Sequence, residues 1–522
     1  MRIDPVELEI FKNIFVSICE EMGAALKRVA YSPNIKERRD YSCAVFDAAG
    51  ETVAQGDHMP VHLGSMPMSV LSAINEVEFE PGDMVILNDP FHGGTHLPDI
   101  TLIKPIFLKD EKKPSYFVAN RAHHADVGGI SPGSMPLSTE IFQEGIIIPP
   151  VKLEARGKLN RDLLGVILGN VRTPDEREGD LAAQIAANRI GERRLIEITD
   201  KYGRDKLMTV MEELKNYAER ITRRAIEEIP DGSYSFVDFM DDDGVGKKPV
   251  KIAVRITIKK DEAVIDFSGS SPQVPGSINA VYAITLSAVF YVFRAIVNYD
   301  VPSNAGGFRP LRVIAPEGSI VNARGRAAVA GGNVETSQRI VDVLLGALSQ
   351  AIPDRIPAAS SGTMNNISFG GVAPETGEPF AYYETIGGGM GARPGADGIS
   401  GVHTHMTNSL NTPIEAMEHS FPLRIKSYRL RKGSGGGGSY GGGEGIVREY
   451  QFLAGGELSI LSERRRFAPY GLCGGLPGRV GRNSLITTRG EISLPSKVNI
   501  KVAPGDILKV ETPGGGGYGL PE

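Results

Sequence analysis

Two stretches late in the chain set the hardest limit on how it folds. GSGGGGSYGGGEG at 433–445 and PGGGGYG at 513–519 are nearly bare backbone. Glycine supplies positive φ and lets one backbone approach another closely. It takes 63 of the 522 positions, while tryptophan is absent. Much of the chain is therefore expected in loops and tight turns. The rest, 41% apolar with a net charge of −6, is the composition of a soluble globular protein long enough to bury a large core.

The same composition excludes several classes. The charge is well mixed and slightly acidic, so there is no electrostatic footprint for nucleic acid. No run approaches the ~18 apolar residues of a membrane span. The opening Met1-Arg2-Ile3-Asp4-Pro5 lacks the basic and apolar regions of a signal peptide. Cys19, Cys43 and Cys473 lie far apart with no CxxC pair, which argues against a disulfide framework and a cysteine zinc site. A reducing cytoplasm is the expected compartment.

Periodicity divides the chain into four regions. In 1–158, Asp4 and Pro5 open a helix over 4–31, with Leu8, Phe11, Phe15, Ile18, Met22, Ala25 and Val29 on one face. Strands follow at Cys43–Phe46, Met84–Leu87, Ile100–Phe107 and Tyr116–Ala119. Residues 159–230 read as helical, with long amphipathic helices at 174–200 and 203–228. Residues 231–275 switch to a small antiparallel strand unit. Residues 276–522 hold apolar helices at 280–298 and 337–352, then short strands and glycine-rich loops. The expected class is α+β, a mixed multi-sheet protein with a central group of long helices.

Six of the nine histidines, His58, His62, His92, His96, His123 and His124, fall between 58 and 124. NDPFHGGTHLPD (88–99) sits between two strands, and its prolines and glycines make it a rigid non-helical loop that sets His96 three residues before Asp99. Arg121-Ala-His123-His124-Ala-Asp126-Val-Gly-Gly follows the next strands, so the two loops can converge at one end of a sheet. Imidazoles plus carboxylates suit Zn, Mn or Fe(II). With a position left open, such a metal lowers the pKa of water to about 7 and polarises a carbonyl. Glu37 and Asp40 are candidates for a further carboxylate ligand. H-x-x-D alone is a common pairing. The alternative reading makes these residues turn caps in a loop-rich core, and His58, His62 and His92 are assigned to it. His124 is ranked below His123, because adjacent residues leaving a strand point to opposite sides.

Other features carry less chemistry. Asp241-Asp242-Asp243-Gly244 reads as an acidic turn. Gly244-Val-Gly-Lys-Lys248 lacks the first glycine and the hydroxyl of a phosphate loop, and the glycine runs lack a G-K-[ST] ending. No nucleotide site is therefore recognised. Gly331-Gly332-Asn333-Val334-Glu335-Thr336-Ser337, before an apolar helix, is either an N-cap or an anion cradle. His403 and His405 stand in i, i+2 register. With His124 they are candidates for lining a substrate pocket. On a strand, His403 and His405 would face one side.

SPNIKERRDYSCA (32–44), GDHMPVHLGSM (56–66), NDPFHGGTHLPD (88–99), RAHHADVGG (121–129) and ETPGGGGYG (511–519) together resemble the hydantoinase B family. Its relatives include N-methylhydantoinase B subunits, the C-terminal half of 5-oxoprolinase, caprolactamase B subunits and the alpha subunits of acetone and acetophenone carboxylases. The resemblance implies a hetero-oligomer with two or more copies of each chain, built with a hydantoinase A-type subunit that binds ATP and phosphorylates the substrate oxygen. It implies that this chain carries the metal centre where a small cyclic amide is hydrolysed. By motif, His96, Asp99 and His123 fall on three ligands of that centre, and the fourth, a carboxylate, falls at Glu37 or Asp40. An ATP-dependent ketone carboxylase subunit and a non-catalytic scaffold for the A subunit are the competing functions.

Overall fold

The computed structural model describes residues 3–56, 58–109, 111–297 and 300–521. Helix α1 (Pro5–Val29) opens where Asp4 accepts the Val6 N–H at 3.0 Å. Its buried stripe follows the expected spacing through Met22 and then continues at Leu26 and Ala30. Val29, expected inside, is 46% exposed, because the helix ends there and the chain turns away. The short helix α2 (Pro33–Lys36) leads into a sheet of β1 (Tyr41–Asp47), β2 (Thr52–Gln55), β3 (Met84–Leu87), β4 (Asp99–Ile106), β5 (Tyr116–His123), β6 (Val151–Ala155) and β7 (Lys158–Leu159). Helix α3 (Ser65–Glu76) falls between β2 and β3. The strand order is β2-β1-β5-β4-β3-β6-β7, with every pairing antiparallel.

Both faces of this sheet are covered, which is why its strands read as unbroken apolar runs. Cys43, Val45, Val118 and Ala122 share a core with α1 and the helices described next, while Ala44, Phe46, Phe117 and Ala119 pack with Met66, Val70 and Ala73 of α3. Side chains alternate between the two cores with the period of a strand. Helix α4 (Arg161–Leu168) precedes the two long helices, α5 (Pro174–Tyr202) and α6 (Arg204–Glu227).

Strands β8 (Gly232–Met240), β9 (Val250–Lys259) and β10 (Glu262–Asp266) form the expected antiparallel unit. A fourth strand, β11 (Leu311–Ile314), comes from beyond that segment and joins β10 in parallel. Helices α7 (Tyr282–Ile296) and α8 (Ser337–Leu348) fall where their apolar runs place them. Residue 298, the end of the first run, lies outside the described residues. The apolar core around α7 and α8 takes in residues from Met59 to Leu461, so it crosses every region of the chain.

Beyond α8, β12 (Asn366–Val372), β13 (Pro379–Glu384), β16 (Gly456–Leu461) and β19 (Lys497–Val502) make a third sheet. Helix α9 (Ile414–Ser420) precedes a fourth, made of β14 (Leu423–Arg431), β15 (Gly445–Phe452), β17 (Arg482–Thr487), β18 (Gly490–Leu494) and β20 (Ile507–Glu511). These two sheets share one core, with Phe369 and Leu458 from the third and Tyr450 and Leu508 from the fourth.

The glycine runs are loops that pack backbone against backbone. Successive N–H groups of Gly514, Gly515, Gly516 and Gly517 donate to Arg479, Gly443, Ala359 and Leu476, so one extended segment bonds to three others around it. A sheet strand has partners on two sides only. A Cβ added at Gly515 would lie 2.0 Å from the Met390 carbonyl oxygen, and one at Gly442 would lie 2.0 Å from that of Gly515. Positive φ occurs in these runs at Gly433 and Gly519. Elsewhere in them glycine is needed for its missing side chain, not for a left-handed backbone.

Candidate metal centre

The hairpin of β4 and β5 builds the site. Its register pairs Asp99, the first residue of β4, with His123, the last of β5. On the other side of β5, the register with β1 extends to Asp40, whose carbonyl accepts the His123 N–H at 3.0 Å. Directly opposite residues in neighbouring strands face the same way. Asp40, His123 and Asp99 thus form one carboxylate–imidazole–carboxylate row across the sheet edge. The 88–99 loop adds His96, whose carbonyl accepts the Asp99 N–H at 3.1 Å.

One ligand atom each from His96, Asp99 and His123 lies within 4.8 Å of the others, and all three residues are buried. His96 Nε2 is 3.4 Å from Asp99 Oδ2, and the His96 and His123 rings meet edge to face with centroids 5.0 Å apart. Asp40 stands beside this group. Burial, opposed by Arg38 and reinforced by Asp99, lifts its carboxyl to about 6. Neither carboxylate is in the group of three, and Glu37 is the half-buried residue that closes α2. Of the two candidate carboxylates, the fold brings Asp40 to the cluster.

His62, read as a turn cap, belongs here too. The 3-10 turn Pro60–His62 buries its ring with Nε2 3.5 Å from Asp99 Oδ2. Asp99 also accepts from Thr95 Oγ1 at 2.5 Å and from Asn333 Nδ2 at 3.3 Å. Against burial, which disfavours its charge, His96 and His62 hold the Asp99 carboxyl well below the usual carboxylate range. Burial lowers His62 to about 4 and pushes His123 well below the ordinary imidazole value. The His62 and His123 rings are thus neutral at neutral pH.

The Nε2 atoms of His62, His96 and His123 are all buried without a hydrogen-bond partner. Their far nitrogens are engaged. His96 Nδ1 lies 3.3 Å from the Ala330 carbonyl, to which it donates, leaving a lone pair on Nε2. His62 Nδ1 meets Ser42 Oγ at 2.8 Å. His123 stacks on Tyr383 at 4.6 Å, and its Nδ1 faces Asn34 Nδ2 at 2.8 Å, while Arg38 donates to Asn34 Oδ1 at 2.6 Å. With Asn34 so turned, its amide donates to Nδ1 and the ring proton sits on Nε2. A metal at Nε2 requires the amide turned over, with Nδ1–H donating to the Asn34 oxygen. Arg38 then loses that acceptor, with the Asp40 carboxylate 3.9 Å away to replace it.

Deeper contacts hold the loop in place. Arg121, two residues before His123 and on the same face, donates to Thr101, Ser65, Ser69 and the Gly93 carbonyl. That ties the 88–99 loop to α3. A Cβ at Gly93 would sit 2.4 Å from α3 backbone, and its φ of +84° also favours glycine.

The remaining candidates lie elsewhere. His124 points to the opposite face, where its Nε2 meets Gln184 Oε1 of α5 at 2.9 Å; it is a packed core residue, not a pocket wall. His403 and His405 are not on a strand and do not face one side. His403 meets Asn411 at 3.3 Å, and His405, with φ +60°, meets Tyr291 of α7 at 3.3 Å. His92 pairs with Asp89 at 3.0 Å, and His58 sits beside Tyr41, both outside the cluster. Asp241 caps the backbone of Arg465 and Arg466, as an acidic turn does. Gly331 and Gly332 spend their N–H groups on the Ser277 carbonyl, so they cradle no anion. A π-helical turn, Gly332–Thr336, instead delivers Asn333 to Asp99.

The hydantoinase B/oxoprolinase family model matches residues 4–521. An uncharacterized protein of Methanocaldococcus jannaschii is 44% identical over 99% of this chain and 91% of its own length. The 5-oxoprolinase of Dictyostelium discoideum is 40% identical over 99% of this chain, which spans only 40% of that longer protein. The crystal structure of the ATP-dependent caprolactamase from Pseudomonas jessenii superposes with a TM-score of 0.93 at 30% identity, covering 100% of this chain and 92% of that one. An acetone carboxylase structure, at 20% identity and a TM-score of 0.91 over 99% of this chain and 76% of that one, shares the fold.

Proposed function

This chain belongs to the hydantoinase B/oxoprolinase family, and from that premise we propose that it is the metal-carrying component of an ATP-dependent cyclic amide hydrolase. The observation that carries the proposal is the gathering of three buried imidazoles at the Asp99 carboxylate, with Nε2 of His62 and His96 at 3.5 and 3.4 Å from it, a His123 ligand atom within 4.8 Å, and all three Nε2 atoms without a hydrogen-bond partner. Buried polar atoms left unsatisfied are costly, and neutral imidazoles with a carboxylate are the donor set of a Zn, Mn or Fe(II) ion. His96, Asp99 and His123 would hold it, with His62 and Asp40 as the adjacent donors. When bound, the ion supplies Lewis acidity, polarising a carbonyl or phosphoryl oxygen and lowering the pKa of water.

The chain's own residues do the rest. Thr95 and Asn333 fix the Asp99 oxygen. Ala330 sets the His96 tautomer. Burial of all four side chains keeps bulk water from the reacting atoms. Asn333 Oδ1, buried and unpartnered, can accept the N–H of a ring amide.

An unstrained amide resists water. We assign its activation to a partner, a hydantoinase A-type subunit that binds ATP and transfers a phosphoryl group to the amide oxygen. One water then adds to the carbon and the C–N bond breaks, the ring nitrogen taking a proton, which leaves an acyl phosphate; a second water releases the carboxylate and phosphate. This fits a chain with no phosphate loop that spans about two fifths of a 5-oxoprolinase. The assembly is a hetero-oligomer of the two chains.

The test is purification with the A-type partner, metal analysis, and ATP hydrolysis measured with 5-oxoproline, hydantoin and caprolactam, with and without bicarbonate. Stoichiometric metal and ring-dependent ATP turnover are expected, both lost in His96→Ala and Asp99→Ala. Full activity in a metal-free variant overturns the proposal. A bicarbonate requirement replaces it with a ketone carboxylase, and a metal-free wild-type chain replaces it with a scaffold.

A further inference from the structure

The cluster is sealed, with His62, His96, Asp99 and His123 at most 3% exposed. A small reactant must reach it through a neighbouring cavity. One of about 340 Å³ lies against the turn that carries His62, a size within the range of small-molecule sites. That turn stands between the cavity and the cluster. Met59, Pro60 and Leu63 line the cavity on one side, while His62 faces Asp99 on the other. Ser42 Oγ ties the two sides together, accepting the Met59 N–H at 3.2 Å and meeting His62 Nδ1 at 2.8 Å.

A second wall also leads inward. Asn408 lines the cavity between Thr407 and Ser409. The Ser409 hydroxyl meets Thr385, and Thr385 accepts from Arg38, the cation that grips Asn34 beside His123. Tyr291, on the facing helix α7, contacts His405, whose buried Nε2 has no hydrogen-bond partner.

We propose that this cavity is the antechamber through which a small polar ring reaches the metal cluster, with Met59 as its movable partition. The inference rests on the reading that a cyclic amide reacts there. The lining suits such a ring. Gln55 and Asn408 offer donors and acceptors for the polar atoms of the ring, and Met59, Pro60 and Leu63 offer apolar surface for the methylenes, while Ser303 stands on the wall. Met59 is 5% exposed, and its unbranched thioether changes rotamer without moving the backbone.

The test uses Ser303→Cys in the complex with the ATP-binding partner, in a Cys473→Ser background, since Cys19 and Cys43 are buried. Two readouts are taken. The first is the rate of thiol labelling with and without 5-oxoproline, hydantoin or caprolactam. The second is kcat/KM after a small methylthio adduct or a bulky aromatic one. The ring that is turned over should slow labelling at least fivefold. The bulky adduct should lower kcat/KM at least tenfold, with metal content and melting temperature unchanged, and the methylthio adduct should have little effect. Met59→Ala should extend turnover to larger rings. An active complex that keeps its kcat/KM with the bulky adduct, and whose label is not slowed, overturns the antechamber and leaves the hydrolase reading standing. A complex that opens none of the three rings removes both.

Discussion

Asn34 is the most informative residue to change, because it stands between a fixed cation and a metal-ligand candidate. Its amide contacts His123 Nδ1 at 2.8 Å and the His123 carbonyl at 3.2 Å, and its oxygen accepts from Arg38 at 2.6 Å. Asn34→Ala deletes all three contacts. Arg38 keeps Thr385 and the Tyr383 carbonyl, so the stability loss is that of one charge-assisted and two ordinary hydrogen bonds, about 2.5–6 kcal/mol. Metal affinity should fall separately, by about 10–100-fold, the usual effect of removing the partner that orients a ligating imidazole. Asn34→Asp should do the reverse. A carboxylate accepts from Arg38 and from His123 Nδ1–H together, which leaves the Nε2 lone pair free without any amide rotation. Chelator competition with Zn²⁺ and Mn²⁺, alongside urea unfolding of the metal-free forms, separates the two effects. An Ala variant that binds metal as tightly as the parent, or an Asp variant that binds it more weakly than Ala, refutes the argument that Asn34 sets the His123 tautomer.

Other expectations follow from the same kind of accounting. His62→Ala should lower metal affinity about 10–100-fold in the same competition assay, whereas His124→Ala should leave affinity intact and cost about 1–3 kcal/mol through the unpaired Gln184. Burial raises the Glu335 carboxyl to about 8, and its Oε2 has no partner. Because that folded value lies above the unfolded one, its contribution to stability is complete below about pH 4.5 and is lost as pH rises through 8; Glu335→Gln should abolish that loss between pH 7 and 9 in urea titrations. Gly515→Ala should destabilise by about 1–3 kcal/mol or prevent folding, since its Cβ would meet Met390 backbone at 2.0 Å. Gly165→Ala in α4, with nothing within 4 Å, should instead stabilise by about 0.5–1 kcal/mol, both read as thermal midpoints.

Local pattern carried the helices and the hairpin. The spacing of Leu207, Val210, Leu214, Tyr217 and Ile221 is a one-helix property, and α6 buries the first three and half-buries Tyr217 and Ile221. His96, Asp99 and His123 were legible because the proline-framed 88–99 loop and the 121–129 loop stand on either side of apolar strand runs and can converge at one end of a sheet. Asp40 could be told from Glu37 only by pairing β1 with β5, a contact between residues about eighty positions apart. His62 and Asn333 reach Asp99 from a 3-10 turn and a π-helical turn, and neither has a periodic signature. The i, i+2 spacing of His403 and His405 misled, because His405 takes a left-handed backbone that no strand contains. The glycine runs were read as loops of nearly bare backbone, and which segments they pack against was not legible, because sequence shows what a residue lacks, not what fills the space left.

That interleaved block of backbone has an order of assembly built into it. Its innermost rod, 514–517, is threaded among segments near 359, 390, 443 and 476. During synthesis those outer rods emerge first and wait with their amides facing water, and the bundle closes only when the last rod arrives. A nascent chain stalled before residue 513 should therefore remain protease-sensitive from about 385 onward while the N-terminal sheet and its histidines are already in place.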